Sequence, residues 1–268
     1  MRRISVKCKR TPKAVTAILA MCVTIFCSAQ ASANQNECDA FFSELNDFLE
    51  ITYLFDRVAT NIEAVIASCE KNYEEATTEA DAVRLGMAYV FGGQFPEAQT
   101  MLQPYAQIQT KAGVFYALSF VASDLDQYVK ILTEIADDGD AQALLLLGML
   151  HESGAPEYRR PDLSAGYFKQ SAEAGNSNGM FYYGREFGIG GFFGFDPPTM
   201  LAWMEKAVSA GHGGAAYFLA IEYLYGNYVE RDCDKVNQLL ELSHTQGFEP
   251  PPLSAGLMTM QFEKLCPM

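Results

Sequence analysis

The 268-residue sequence predicts an all-α solenoid of stacked antiparallel helix pairs. Three observations carry that reading. Gly139, Gly175, Gly211 and Gly247 fall at equal intervals of 36 residues. Each ends a segment with helical apolar spacing, and a second such segment follows it. Hydrophobic residues make up 49% and charged residues 19%, a globular composition that excludes disorder as the general state.

The chain opens with a basic head of Arg2, Arg3, Lys7, Lys9, Arg10 and Lys13. An uncharged, mostly apolar run from Ala14 to Cys27 follows, and then Ala31-Ser32-Ala33. That order predicts a secretory signal peptide over residues 1–33, removed near Ala33. The apolar run is too short for a bilayer span of about 20 residues. The segment holds six of the 19 basic residues and none of the 33 acidic ones, so the remaining chain has a net charge of -20. An acidic surface of that size repels phosphate backbones and anionic lipid, which argues against a nucleic-acid partner. No other stretch is apolar over membrane-spanning length, so the processed chain should not span a membrane.

Cys8, Cys22 and Cys27 leave with the signal, and Cys38, Cys69, Cys233 and Cys266 remain. An even count in an exported chain predicts disulfides, with three connectivities open. The gaps favour local pairs, 38 with 69 and 233 with 266. Neither spacing suits zinc and only three His are present, so no metal or cofactor is expected.

Residues 34–76 read as an N-terminal helical cap with little repeat character. Residues 77–140 hold two looser helical pairs. Gln94-Phe95-Pro96-Glu97 opens a helix with Pro at a tolerated first-turn position, and Ser123-Asp124 separates the next pair. Residues 141–247 hold three 36-residue units. Their first helices run over Ala141 to Glu152, Asn178 to Phe187 and Ala215 to Tyr225, and their second helices over Leu163 to Ala174, Met200 to Ala210 and Lys235 to Gln246. Turns rich in Gly and Pro separate the two helices of each unit. A large apolar residue stands eight before each closing Gly: Tyr167, Trp203 and Leu239. Residues 248–268 read as a C-terminal helical cap behind Pro250-Pro251-Pro252. A helical hairpin turning near Gly247 to Pro252 would bring Cys233 and Cys266 together, as bridge geometry requires.

These units resemble Sel1-like repeats. In the unit ending at Gly211 the matching residues are Gly184, Phe187, Gly190, Asp196, Trp203 and Ala207. The unit from Ala141 matches at Leu147, Gly148, Gly154, Tyr167, Ala172 and Gly175, and the unit from Gly213 at Tyr223, Gly226, Val229, Asp232 and Gly247. Ala220, Val236 and Arg160 depart from the pattern. Upstream, Leu85, Gly86, Tyr89, Gly93, Phe95 and Ala98 resemble a tetratricopeptide repeat. The resemblance implies a right-handed superhelical α-solenoid that works as a protein-binding adaptor or regulator, and the export signal predicts that it does so in the bacterial cell envelope, periplasmic or secreted. It implies a protein or peptide partner, and the sequence carries no full catalytic motif set that would make an enzyme the leading expectation. The candidate partner surface combines first-helix residues Tyr183, Arg185, Tyr217 and Glu222 with the aromatic turn residues Phe192, Phe193 and Phe195.

Two alternatives belong to other classes. Ser68-Cys69-Glu70-Lys71 is formally S-x-x-K, the nucleophile motif of penicillin-recognising enzymes, without its companion motifs. Some cysteine-rich Sel1-like proteins are described as β-lactamases, which implies a hydrolase of β-lactams or cell-wall peptide. A glycan or small-ligand binder using aromatic residues such as Trp203 is the other. His151, His212 and His244 stand near no nucleophile in sequence and read as structural, with His212 in a capping place after Gly211.

Overall fold

The computed structural model describes residues 37–44, 61–250 and 252–266, and the signal-peptide reading of 1–33 lies outside them. Thirteen α-helices occupy the described residues, without a strand among them. They are α1 (Glu37–Glu44), α2 (Ile62–Ala76), α3 (Glu79–Phe91), α4 (Phe95–Leu102), α5 (Thr110–Leu118), α6 (Leu125–Asp137) and α7 (Ala141–Ser153). The series continues with α8 (Pro161–Glu173), α9 (Ser177–Arg185), α10 (Pro197–Ser209), α11 (Gly213–Tyr225), α12 (Cys233–Thr245) and α13 (Pro252–Leu265). From α2 to α5 and from α5 through to α12, neighbours in sequence pack as neighbours in space, with α3 against α5 and α7 against α9 tying one pair to the next. This is the nearest-neighbour architecture of a solenoid.

Local chemistry repeats with the same period. Gly139, Gly175, Gly211 and Gly247 all take φ between 82 and 92°. In each, the following residue donates its N–H to a carbonyl five residues back: Asp140 to Ile135, Asn176 to Ser171, His212 to Ala207 and Phe248 to Ser243. A residue with a Cβ would be strained in that left-handed stop, and glycine is not. The residue after the stop then caps the next helix. Asp140 accepts from the Ala143 N–H, Asn176 from Gly179 and His212 from Ala215. The second helices are capped in register by Asp196, which accepts from Thr199, and Asp232, which accepts from Lys235. Arg160 breaks this series: it offers no acceptor, pairs with Asp162 at 3.1 Å, and α8 starts on Pro161 instead.

The apolar faces form a strip along the stack. One cluster runs from Cys38 to Leu150, and another from Met200 to Cys266. Leu145, Phe168, Ala172 and Tyr183 lie between them. Phe168 is fully buried, its ring packs against the Gly148 backbone, and it stacks on Tyr182 at 4.9 Å.

Both ends of the described array are stapled. Cys38 bonds Cys69 and Cys233 bonds Cys266, with Cα separations of 5.1 and 5.6 Å. The second bridge ties the start of α12 to the end of α13. Helix α13 packs on α11, and the Tyr217 hydroxyl donates to the Ser254 carbonyl.

Candidate functional site

Helix α9 stops at Arg185, and residues 186–196 form a loop before α10. The sequence places Phe187 on the helix, but Gly188 follows and Phe187 already bonds in a turn, its N–H on the Gly184 carbonyl. Glu186 organises the loop. Its carboxylate accepts the Phe192 N–H at 2.9 Å and its carbonyl accepts the Phe193 N–H at 3.0 Å. The Asp196 N–H donates to the Phe187 carbonyl, closing the loop before Asp196 caps α10.

The aromatic loop residues divide by face. Phe193 stacks on Phe187 at 5.1 Å and meets Tyr183 edge-on at 5.7 Å, yet 45% of it remains exposed. Phe192 is 51% exposed, Phe195 56% and Ile189 84%. Four large apolar side chains on one ordered loop therefore meet solvent, whereas isolated exposure would need no explanation.

The other candidate surface residues separate. Arg185 is half-exposed, pairs with Glu152 of the preceding repeat at 3.0 Å and lies over the Tyr182 ring. Tyr183 is buried, wedged edge-on against Trp203 at 5.0 Å, so it belongs to the core and not to a partner surface. The loop covers it, which a helix-by-helix reading does not anticipate. Tyr217 is half-buried, its ring beside Phe248 and its hydroxyl on Ser254. Glu222 is also buried, only 6% exposed, and is no part of an open helix face.

Glu222 instead lines a cleft of about 380 Å³ between the loop and α11. Phe195, Phe218 and Tyr228 give it aromatic walls, and Glu152, Arg185 and Glu186 supply its other charges. Phe195 and Tyr228 meet edge-on at 5.5 Å. Burial pushes the Glu222 carboxyl above its ordinary range, opposed by the hydrogen bond that it accepts from the Asn227 amide. Glu152, Glu186, Phe218 and Tyr228 were not singled out by sequence. The repeat register held a clue, since Glu186 and Glu222 are one 36-residue period apart.

The motif residues lie elsewhere. Ser68 is 2% exposed beneath the Cys38–Cys69 bridge, and its Oγ accepts the Cys38 N–H at 3.2 Å. Lys71 points outward to Glu75. A nucleophile buried in this way, with its lysine in solvent, lacks the open attack geometry of an S-x-x-K site. Trp203 is partly buried under the Lys206 ammonium, 3.7 Å from its ring.

The histidines are structural where they are buried. The His151 Nδ1 lies 2.6 Å from the Tyr158 carbonyl, and its ring stacks on Tyr167. The His212 Nδ1 accepts the Ala215 N–H at 2.9 Å, and its ring stacks on Phe181 at 4.6 Å. Burial lowers the His212 pKa from 6.5 to about 4. The neutral ring is thus the native form, and only it can accept the capping bond. With the folded value below the unfolded one, the stability is complete above pH 6.5 and is lost as pH falls toward 4. At one pKa unit per 1.36 kcal/mol this is up to about 3 kcal/mol. Urea unfolding at pH 7 and pH 4.5 should show that loss in the parent chain. His212→Asn, which keeps a cap, should remove most of it. An equal pH response in both proteins would contradict the assignment.

No protein-family model matches the chain, and no curated protein matches it. Among solved structures, it is similar to the Sel1 repeat protein of Oxalobacter formigenes at 16% identity and a TM-score of 0.51. That match covers 74% of this chain and 96% of the other. A protective antigen of uropathogenic Escherichia coli strains displaying an SLR fold aligns at 18% identity and a TM-score of 0.49, over 80% of this chain and 55% of the other. Thirteen helices in consecutive pairs, glycine stops in register and the Oxalobacter likeness agree: this chain has the fold of the Sel1-repeat solenoids.

Proposed function

We propose that the chain is an exported repeat scaffold that binds a protein or peptide partner in the cell envelope, as an adaptor or regulator. The observation that carries this reading is the loop of residues 186–196, which holds Ile189, Phe192 and Phe195 in solvent on a hydrogen-bonded frame beside a cleft. Ordered, clustered apolar exposure on a repeat array is the physical signature of a docking surface. Two disulfides fit an oxidising compartment, in keeping with the export reading. Among the described residues, no helix is long and apolar enough to cross a membrane.

The test is capture of the processed protein after crosslinking in intact cells, followed by mass spectrometry. Phe192→Ser with Phe195→Ser should lower recovery of the specific partner by tenfold or more, as expected for aromatic anchors worth about 2 kcal/mol together. Thermal stability should change little, since both side chains are half in water. An undiminished partner in the double variant would move the interface off this loop. No partner above background would remove the reading.

A further inference from the structure

The cleft beside the aromatic loop contains an electrostatic imbalance. Three carboxylates line it, from Glu152, Glu186 and Glu222, against one guanidinium, from Arg185. That guanidinium is already engaged with Glu152 at 3.0 Å. Glu186 spends one oxygen on the Phe192 N–H. Glu222 is more than nine-tenths buried and forms no ion pair among the described residues; the Asn227 amide, at 3.3 Å, is the hydrogen-bond donor to its carboxylate. A carboxylate taken out of water without a counter-charge is costly, and it gains strongly from a cation that reaches it. Phe195, Phe218 and Tyr228 line the same cleft. A buried acid in an aromatic-lined cleft is a combination that binds organic cations, through charge and ring quadrupole together.

The rim decides the source of the cation. Ile189 and Phe195 line the cleft and are exposed, and Phe192, exposed on the same loop, adds apolar surface outside it. A free small cation would use the cleft and leave that rim wet. A chain segment with an apolar residue next to a basic one would cover both. We propose that the cleft receives the arginine or lysine side chain of an extended partner segment, whose charged end meets Glu222 while a neighbouring apolar side chain lies on Ile189 and Phe192. This deepens, and rests on, the partner-binding reading above.

The assignment predicts a dependence on pH. Burial holds the Glu222 carboxyl above its ordinary value when the cleft has no cation, and a bound cation would bring it down again. Binding should therefore weaken as the solution is acidified.

The experiment uses three probes: acetyl-Leu-Arg-Leu-amide, the same peptide with citrulline (a neutral isostere of arginine) and acetyl-arginine methylamide. Backbone amide shifts of the ¹⁵N-labelled processed protein report binding. The arginine peptide should shift Gly188 to Gly191 and Tyr228 saturably, with Kd in the millimolar range or better that suits so small a ligand. The citrulline peptide should bind at least tenfold more weakly, and acetyl-arginine methylamide should also be weaker than the arginine peptide. Glu222→Gln, which preserves volume and can still accept from Asn227, should bring the arginine peptide to the citrulline level. Glu186→Gln, which keeps an acceptor for Phe192, should weaken it in the same direction and serves if Glu222→Gln unfolds. Equal affinity for the arginine and citrulline peptides, shifts away from the cleft, or no saturable shift with any probe would overturn the proposal. Acetyl-arginine methylamide binding as tightly as the peptide would replace the partner segment with a small organic cation. A crosslinked partner that persists in cells alongside a failed peptide test would remove this inference and leave the scaffold reading standing.

Discussion

Phe168→Ala should destabilise the protein by about 3–5 kcal/mol, the usual cost of emptying a fully buried aromatic site. The side chain has no solvent exposure and stacks on Tyr182. Its ring also occupies the space that Gly148 leaves by lacking a Cβ, since a methyl there would come within 2.6 Å of it. The site also sits between the Cys38-to-Leu150 and Met200-to-Cys266 clusters. In a one-dimensional array, weakening a central interface separates the two sides thermodynamically. Chemical unfolding of the variant should show a lower midpoint and a broader or split transition. A loss under 1 kcal/mol with a single sharp transition would mean that the stack does not depend on this contact.

The second large effect belongs to the C-terminal bridge. Cys233→Ser with Cys266→Ser should cost about 3–4 kcal/mol in the chain-entropy model, given the 33-residue separation. The loss should be local before it is global. Helix α13 closes the described array and packs on α11 through a short set of residues, Met258 among them. Without the covalent tie, hydrogen exchange should accelerate in α13 and α12 first, with α7 and α8 still protected. Uniform acceleration through the whole chain would contradict a nearest-neighbour solenoid. An unchanged exchange pattern would show that the bridge is redundant.

Much of this architecture is legible from periodic residues alone. Four glycines at one spacing mark four identical stops, because only a left-handed residue completes that turn cheaply. Asp196 and Asp232 occupy the acidic position of the Sel1-like pattern, and the structure gives that position its reason: each caps a second helix. His212 in a capping place is equally readable, since Asp140 and Asn176 cap in the same register. The site was less legible, and the causes are specific. Tyr183 lies on a first helix but is met by Phe193 of the loop that follows, and helical spacing carries no information about a loop's path. Glu222 looks like an ordinary helix-surface acid until Tyr228 and the 186–196 loop close over it. Arg160 stands where an acid is expected, and Pro161 starts the helix in its place. Phe193 reads in sequence only as an aromatic turn residue, and its stacking on Phe187, with 45% of it still exposed, is visible only in the structure.

Site-specific photocrosslinking in intact cells asks whether the 186–196 loop and its cleft form the partner-binding face, with a benzophenone amino acid placed at Phe192 in one strain and at exposed Glu241 on α12 in another. One discrete protein adduct should form from position 192, absent at 241 and lost when Glu222→Gln is added. Adducts of equal yield at both positions, or an adduct at 241 alone, would contradict that placement.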